Sequence, residues 1–262
     1  MTGRGRTRPV VPATISESDG VRYLHLDSPW IQGAMRIADP KAIELEYVQR
    51  MMAWMLLRPT EQLTDGRAVQ LGLGAAAITR FCHGVLRMQT TAVELNPTVI
   101  EACRLWFRLP GASARFEMLE MDADDYVGDP ALHGSASVLC VDLYDHEAAS
   151  PVLDSGRFYR DCAALLGDDG VMAVNLFGRD ASFETSAARI AAAFGAERVR
   201  SLRPTKEGNT IVLALKSGTI PDRSTLAARA ENIETRFGLP AAKWLRMLRT
   251  SPPRPLTHFV LA

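Results

Sequence analysis

The sequence predicts an α/β fold in which a mostly parallel sheet carries helices on both faces. Three observations predict it. After Gly66, segments typical of strands alternate with segments of helical periodicity. The first of these strands runs into a glycine-rich turn at Gly72, as at many strand-to-helix junctions. Hydrophobic residues make up 47% of the 262 residues, which is enough for the core of one large domain or of one domain with a small appendage.

The first sixty residues predict a separate, smaller unit. Residues 1–20 are rich in Arg, Pro, Ser and Thr and lack periodicity, so we expect a flexible segment there. Residues 21–36 alternate as strands do on either side of a Ser-Pro-Trp turn, which predicts a β-hairpin. A helix follows, with one apolar stripe made by Ile43, Tyr47, Met51 and Met55. We therefore expect a small β/helix domain over residues 21–62.

Residues 63–262 are expected to form the main domain. Strand patterns occur in AVQLGLG, QTTAVEL, RFEMLEMD, ASVLCVDLYD, VMAVNLF and GNTIVLALK. Helical patterns occur in AAITRFCHGVL, PTVIEACRLWF, SGRFYRDCAALL, DASFETSAARIAAAFG, STLAARAENIETRF and AAKWLRMLRT. Residues 167–170, Gly-Asp-Asp-Gly, predict a turn between a helix and a strand.

Charge and cysteine usage exclude several classes of function. The 30 Lys and Arg balance the 30 Asp and Glu, whereas a dedicated nucleic-acid binder usually has a basic surplus. No apolar run approaches the ~18–20 residues that span a bilayer, and no secretory signal pattern is present, so the expected compartment is the cytoplasm. The cysteines are well separated, which predicts core residues rather than metal ligands; they are Cys82, Cys103, Cys140 and Cys162.

A nucleoside site is predicted at the glycine-rich turn. Gly72 and Gly74 allow a tight turn and a close approach of the backbone to a ligand, although a turn that binds nothing would have the same pattern. Glu94 ends the next strand twenty residues later and could accept hydrogen bonds from both ribose hydroxyls. The alternative for Glu94 is an exposed carboxylate at a strand end.

Acids also follow the third and fourth strands. Asp122 lies where it could accept a hydrogen bond from the exocyclic amine of adenine. The alternative is that Asp122, Asp124 or Asp125 caps the next helix. Asp142 and Asp145 flank Leu143 and Tyr144 after a very apolar strand. Such a pair could hold a cationic amine or take its proton, because apolar surroundings raise a carboxyl pKa. The alternative is a loop whose acids cap the next helix.

The motifs taken in order resemble the spermidine synthase family, the polyamine aminopropyltransferases. The resemblance runs from about residue 21 to 216 and includes Gln32 and the segments GLGAAA, AVELNP, MDADD, VDLYDHE, SGRFY and GNTIVLALK. It implies a small N-terminal β domain and a Rossmann-like, class I methyltransferase-like domain with a mostly parallel seven-stranded sheet. It also implies transfer of an aminopropyl group from decarboxylated S-adenosylmethionine to an amine such as putrescine, without a metal. Since family members commonly dimerise, a homodimer is one expectation.

The resemblance also implies roles for individual residues. The nucleoside site would consist of Gln32, Gly72, Gly74, Glu94, Asp122 and Ala123. Asp142 would be the base that activates the amine, with Tyr144 assisting and Asp145 helping to hold the amine. The aromatic pair of the following helix corresponds to residues 158–159.

Several positions depart from the family pattern. Ala75 replaces the Asp that contacts the donor's aminopropyl amine. Aligned on Met51, residues 48–50 replace a Tyr-His-Glu motif, so its tyrosine and acid are missing. His146 replaces a proline, and Asn175 replaces a glutamine. The nucleoside half of the site is therefore better kept than the amine half.

The departures leave other functions open. Loss of the family Asp at Ala75 favours an S-adenosylmethionine-dependent methyltransferase, because the carboxylate-bearing tail of that donor would not need an acid there. A non-catalytic nucleoside-binding homologue is a third hypothesis, since a fold alone does not determine function. A nicotinamide-dependent dehydrogenase is disfavoured by the acids after the third and fourth strands.

Overall fold

The computed structural model describes residues 10–28, 30–143, 153–177 and 181–251. The N-terminal part is a three-stranded antiparallel sheet in the order β1-β2-β3. Its strands are β1 (Ala13–Ser18), β2 (Val21–Leu26) and β3 (Gly33–Arg36). The predicted hairpin is confirmed, because Val21 of β2 pairs with Arg36 of β3.

Strand β1 corrects the expectation of a flexible N-terminal segment for residues 13–18. It pairs with β2 from Ala13↔Leu26 to Ser18↔Val21. Asp19 and Gly20 connect the two strands, and both have positive φ, at 52° and 74°. An Asp-Gly pair of this kind forms the two-residue turn whose twist matches antiparallel strands. The Asp-Gly dipeptide is the sequence feature from which β1 could have been predicted. The division of the chain at residue 62 stays a prediction.

Over these described ranges, the main sheet has eight strands in the order β11-β9-β10-β8-β7-β4-β5-β6. Its strands are β4 (Arg67–Leu71), β5 (Gln89–Glu94), β6 (Phe116–Glu120), β7 (Ala136–Val141), β8 (Leu166–Phe177), β9 (Val199–Ser201), β10 (Asn209–Leu215) and β11 (Arg249–Thr250). Strands β4 to β8 run parallel, whereas β10 is antiparallel to both β8 and β9. The mostly parallel sheet is confirmed, and the two-residue β11 makes eight strands instead of the expected seven.

The helices follow the predicted alternation. The α-helices are α1 (Glu46–Met51), α2 (Ala77–Arg80), α3 (Pro97–Trp106), α4 (Ala123–Val127), α5 (Gly156–Leu165), α6 (Ala181–Phe194), α7 (Arg223–Phe237) and α8 (Ala241–Met247). Two predicted helices change type along their length, since α1 continues as the 3-10 helix Met52–Leu56 and α2 as the π-helical turn Phe81–Val85. Further 3-10 turns are Thr60–Gln62, Pro130–Leu132 and Ala196–Arg198.

The turn predicted at residues 167–170 is wrong. These residues are part of β8, in which Leu166 pairs with Ala136 of β7 and Val171 pairs with Val138. The segment between Leu166 and Val171 is therefore longer than the facing segment of β7 and forms a bulge. Bulges accommodate extra residues without ending a strand, and glycine tolerates the bend.

The sheet is buried on both faces. On β10, Ile211 and Leu213 pack in one core cluster, while Val212 and Ala214 pack in the cluster on the opposite face. This alternation follows from the two-residue period of a strand. The four cysteines are buried, as predicted, and burial raises the pKa of Cys82 to about 12.

Across the part of the chain that the structure describes, none of the helices is long and apolar enough to cross a membrane. Within the same residues, no group of three or more His, Cys, Asp or Glu side chains is placed to hold a metal ion.

Candidate active site

The glycine-rich turn after β4 lies against the chain that leaves β7. Gly72 has a φ of +83°, and a Cβ at this position would overlap the carbonyl oxygen of Asp142. Only glycine fits such a conformation and such a close approach. Ala76 also has a positive φ, 56°, and ends the turn just before α2. The turn thus fixes the backbone of Asp142 beside Gly72.

Buried side chains bind the carbonyl groups of the turn from behind. Gln70 Nε2 donates to the carbonyl oxygens of Gly72 and Leu73 at 2.8 and 3.1 Å. The thiol of Cys103 donates to the carbonyl oxygen of Gly74 at 3.1 Å. Because buried carbonyls need partners, these side chains determine which way the peptide groups of the turn face.

Arg80 binds the last carbonyl of the turn and ties it to two other segments. Its guanidinium donates to the carbonyl oxygen of Ala75, to that of Pro40 at 2.7 Å and to that of Phe107 at 2.7 Å. Burial lowers the pKa of Arg80 to about 10, so the side chain still carries its charge at neutral pH. A buried positive charge therefore lies directly behind Ala75.

Glu94, at the end of β5, is held by backbone N–H groups of two segments. Its Oε2 accepts from the N–H of Leu73 at 2.8 Å, and its Oε1 accepts from the N–H of Asn96 at 2.9 Å. Burial raises the pKa of Glu94, these bonds lower it, and the neighbouring charge of Asp142 raises it further. Each carboxylate oxygen keeps a second lone pair, so the group can still accept from two hydroxyls of a ligand.

Asp142 follows β7, and its backbone N–H donates to the carbonyl oxygen of Leu71 at 2.9 Å. Its Oδ1 accepts from Asn175 Nδ2 at 2.8 Å, and the Tyr47 hydroxyl is hydrogen-bonded to the same carboxyl group. Burial raises the pKa of Asp142, while the bonds from Asn175 and Tyr47 lower it. A carboxyl group with a raised pKa binds a proton more tightly, as a general base requires.

A small cavity of about 10 Å³ lies between the turn, α1 and the N-terminal sheet, and its lining includes Gln32, Tyr47, Gly74, Ala75, Ile78 and Asp142. Among the described residues that line it, Asp142 is the one carboxylate. Most of the other lining side chains are aliphatic. The predicted residues Gln32, Gly74 and Asp142 thus meet at one cavity, and Glu94 reaches the same turn through Leu73.

The N-terminal sheet closes this cavity by direct contact with the turn. A Cβ at Gly33 would overlap the backbone nitrogen of Ala75. The neighbouring Gln32 is held by its own N–H, which donates to the carbonyl oxygen of Leu24 at 2.8 Å. Glycine at position 33 therefore allows this strand to pack directly against the turn, next to Gln32 in the cavity lining.

The remaining predicted residues are placed differently. Asp122 follows β6, and its Oδ1 accepts from the N–H of Asp124 at 2.9 Å, so it caps α4, the alternative considered for it. Ala123 is the buried first residue of that helix. A contact of Asp122 with adenine stays a prediction. Tyr144 and Asp145 lie outside the described residues.

One sequence interpretation of the amine half needs correction. The alignment on Met51 indicated that the tyrosine of the motif was missing, but Tyr47, one position earlier, supplies a hydroxyl to Asp142. Arg50, at the position of the family's acid, is not among the described residues that line the cavity. Its guanidinium donates to the carbonyl oxygen of Arg203 at 2.6 Å and to Glu46 at 2.8 Å.

Sequence reasoning did not place Tyr47, Asn175 or Gln70 among the site residues. Gln70 and Asn175 are nearly fully buried, with 4% and 3% of their surfaces exposed. A buried amide needs hydrogen-bond partners, so a polar residue inside an apolar strand pattern is the signal that could have found both. The aromatic pair at residues 158–159 is buried in the core of the sheet.

Comparisons with known proteins were made for the whole chain. No family model matches it. A curated protein named polyamine aminopropyltransferase, from Chromobacterium violaceum, is 31% identical over 264 residues, which covers 98% of each chain. A crystal structure described as a probable spermidine synthase from Corynebacterium glutamicum has a TM-score of 0.69 at 18% identity and covers 89% of this chain and 90% of that one.

A second solved structure extends the likeness in fold. Human methyltransferase-like protein 13, solved in complex with SAH, has a TM-score of 0.61 at 24% identity, over 83% of this chain and 98% of that one. Together with the N-terminal antiparallel sheet, these likenesses confirm the predicted α/β class and its Rossmann-like methyltransferase fold.

Proposed function

Because the chain belongs to the polyamine aminopropyltransferase family, we propose that it transfers an aminopropyl group from decarboxylated S-adenosylmethionine to a small amine. One observation carries this proposal. The carboxyl group of Asp142, with a raised pKa, lies beside the same turn that binds Glu94, and it faces a cavity of mostly aliphatic side chains. This arrangement supports a proton acceptor beside the proposed nucleoside site.

The nucleoside would bind at the turn between β4 and α2. Glu94 is already held by the Leu73 N–H and has lone pairs left for the two ribose hydroxyls. Gly72 and Gly74 let the sugar approach the backbone. Gln32 lines the same cavity. Asp122, one strand further along the sheet, would accept a hydrogen bond from the adenine amine.

Asp142 would act on the amine acceptor. It accepts the proton of the acceptor nitrogen, which frees the lone pair of that nitrogen for attack on the methylene carbon next to sulfur. The new C–N bond forms as the C–S bond breaks, and the electron pair of the C–S bond stays on sulfur, which leaves as methylthioadenosine. The donor supplies the leaving group through its sulfonium centre. The protein contributes position and a proton acceptor.

A methyltransferase is the second candidate, and the surroundings of Ala75 favour it. The cavity wall has no acid at this position, and the Arg80 charge lies behind the Ala75 carbonyl. Both features suit a donor tail that carries a carboxylate better than a tail that carries only an amine. S-adenosylmethionine has such a tail.

Product analysis by mass spectrometry tests the proposal. The protein is incubated with S-adenosylmethionine or its decarboxylated form, together with putrescine. Methylthioadenosine and an aminopropylated amine support aminopropyl transfer, whereas S-adenosylhomocysteine supports the methyltransferase. Calorimetric binding of methylthioadenosine without any turnover supports a non-catalytic homologue. Action in the cytoplasm, a homodimer and the absence of a nucleic-acid partner remain predictions.

A further inference from the structure

Two amide side chains, the buried Asn175 and the partly buried Asn209, form a chain of hydrogen bonds that ends on Asp142. Asn175 lies on β8, and Asn209 is the first residue of β10. Because Asn209 pairs with Phe177 and Asn175 pairs with Ile211, the two amides are diagonal neighbours on one face of the sheet. Asn209 Nδ2 donates to Asn175 Oδ1 at 3.1 Å, and Asn175 Nδ2 donates to Asp142 Oδ1 at 2.8 Å.

Hydrogen-bond logic fixes the direction of this chain. An ionised carboxylate only accepts, so Asn175 must present its NH₂ group to Asp142 and its oxygen to Asn209. Asn209 must then donate through its own NH₂ group. Its backbone is held by Thr205, because the Asn209 N–H donates to Thr205 Oγ1 at 3.1 Å and the Thr205 N–H donates to the Asn209 carbonyl at 2.8 Å. Both amides are therefore polarised toward the carboxylate.

Other titratable groups face Asp142 from three elements. Among the described residues they are Tyr47 on α1, Glu94 on β5 and Cys140 on β7. Tyr47 binds the carboxyl group, whereas the Glu94 and Cys140 groups interact with its charge. Asn175 is a neutral partner of Asp142 and does not titrate itself. Its effect on the pKa of Asp142 therefore depends on which end of its amide faces the carboxyl group.

We propose that Asn209 is a positioning residue for the reaction: through Asn175, it keeps an N–H group directed at Asp142 and holds that carboxylate ready to accept a proton. The catalytic meaning of this role rests on the proposed function. Without the donor at Asn209, the amide of Asn175 can rotate by half a turn and present its oxygen to the carboxylate. Two acceptors facing each other favour the protonated acid, so the pKa of Asp142 rises.

Carbon-13 NMR of the full chain tests the proposal without any substrate. The protein is labelled at the aspartate carboxyl carbons, and the resonance of Asp142 is assigned by its absence in Asp142→Asn. In Asn209→Leu, which keeps a similar volume, the titration midpoint of Asp142 moves to higher pH. Thr210→Val is the matched control, since Thr210 is the next residue of β10 and the substitution removes a polar group at a buried position. Its midpoint stays at the wild-type value.

An unchanged midpoint in Asn209→Leu overturns the proposal. Should this variant fail to fold, Asn209→Ala removes the same donor with a smaller side chain and is judged by the same shift. In the active enzyme, Asn209→Leu lowers kcat/KM about 3- to 10-fold near pH 6 and less at pH 9. An equal loss at every pH indicates a merely structural role and contradicts the proposal. Absence of turnover in the wild type counts against the proposed function alone, because the NMR titration does not depend on it.

Discussion

The two sides of the candidate site differ in composition: backbone groups form one side and side chains form the other. On the nucleoside side, peptide groups of the glycine turn are bound by Gln70, Arg80 and Glu94, so the ligand would meet a rigid backbone. On the tail side, aliphatic side chains surround the carboxyl group of Asp142, whose partners Tyr47 and Asn175 come from separate elements. Under the proposed function, this difference predicts that affinity for a nucleoside and choice of the transferred group depend on separate residues and can be changed separately.

Asp142→Asn gives the largest expected effect. It tests whether turnover can be lost without loss of nucleoside binding. We expect turnover to fall by about 10²–10⁴-fold, because the amide cannot accept a proton. Binding of methylthioadenosine, measured by calorimetry, should change little. Asp168→Asn, an exposed residue of the β8 bulge, is the control. If Asp142→Asn weakens nucleoside binding as much as turnover, the two sides are not separable.

Glu94→Gln should act on the nucleoside side alone. The amide loses the charge, and its NH₂ group faces a backbone N–H of Leu73 or Asn96, so we expect the dissociation constant of methylthioadenosine to rise about 10- to 100-fold. Glu120→Gln is the control, because Glu120 is the register partner of Glu94 on β6 and is exposed. Equal losses in the two variants would argue against a ribose contact at Glu94.

Ala75→Asp should increase the preference of the tail side for a donor that carries only an amine. The new acid would face the cavity and attract an amine, so we expect the ratio of affinities for decarboxylated over ordinary S-adenosylmethionine to rise about 5- to 50-fold. Ala75→Asn, of the same shape without the charge, is the control, and competition calorimetry is the measurement. The same ratio in both variants would mean that position 75 does not contact the donor tail.

The pH dependence of stability gives the smallest expected effect. An acid whose pKa is raised by folding binds its proton more tightly in the folded protein than in the unfolded chain. The free energy of unfolding therefore falls as the pH rises from the unfolded pKa, about 3.9, through the folded pKa. Asp142→Asn removes this cost. The variant should therefore have a higher Tm than the wild type at pH 8, by about 2–4 °C for each kcal/mol gained, and this difference should shrink toward pH 4. A difference that is constant with pH would contradict the raised pKa.

Sequence patterns predicted most of the sheet and the position of the turn, because buried parallel strands have continuous apolar runs and end at one edge. They pointed to Asp142 for the same reason. They put Tyr47 on the apolar stripe of a helix and not in the site, because the alignment on Met51 put the family's tyrosine one residue later, at position 48. They also mistook residues 167–170 for a turn, since glycine and aspartate suit a bulge as well.

A crystal structure with methylthioadenosine tests most directly that both sides of the site act on one ligand. We expect the ribose hydroxyls within hydrogen-bond distance of Glu94, adenine beside Asp122, and the methylthio group directed at the cavity between Ala75 and Asp142. A nucleoside bound elsewhere, or bound with its sulfur turned away from Asp142, would contradict the account.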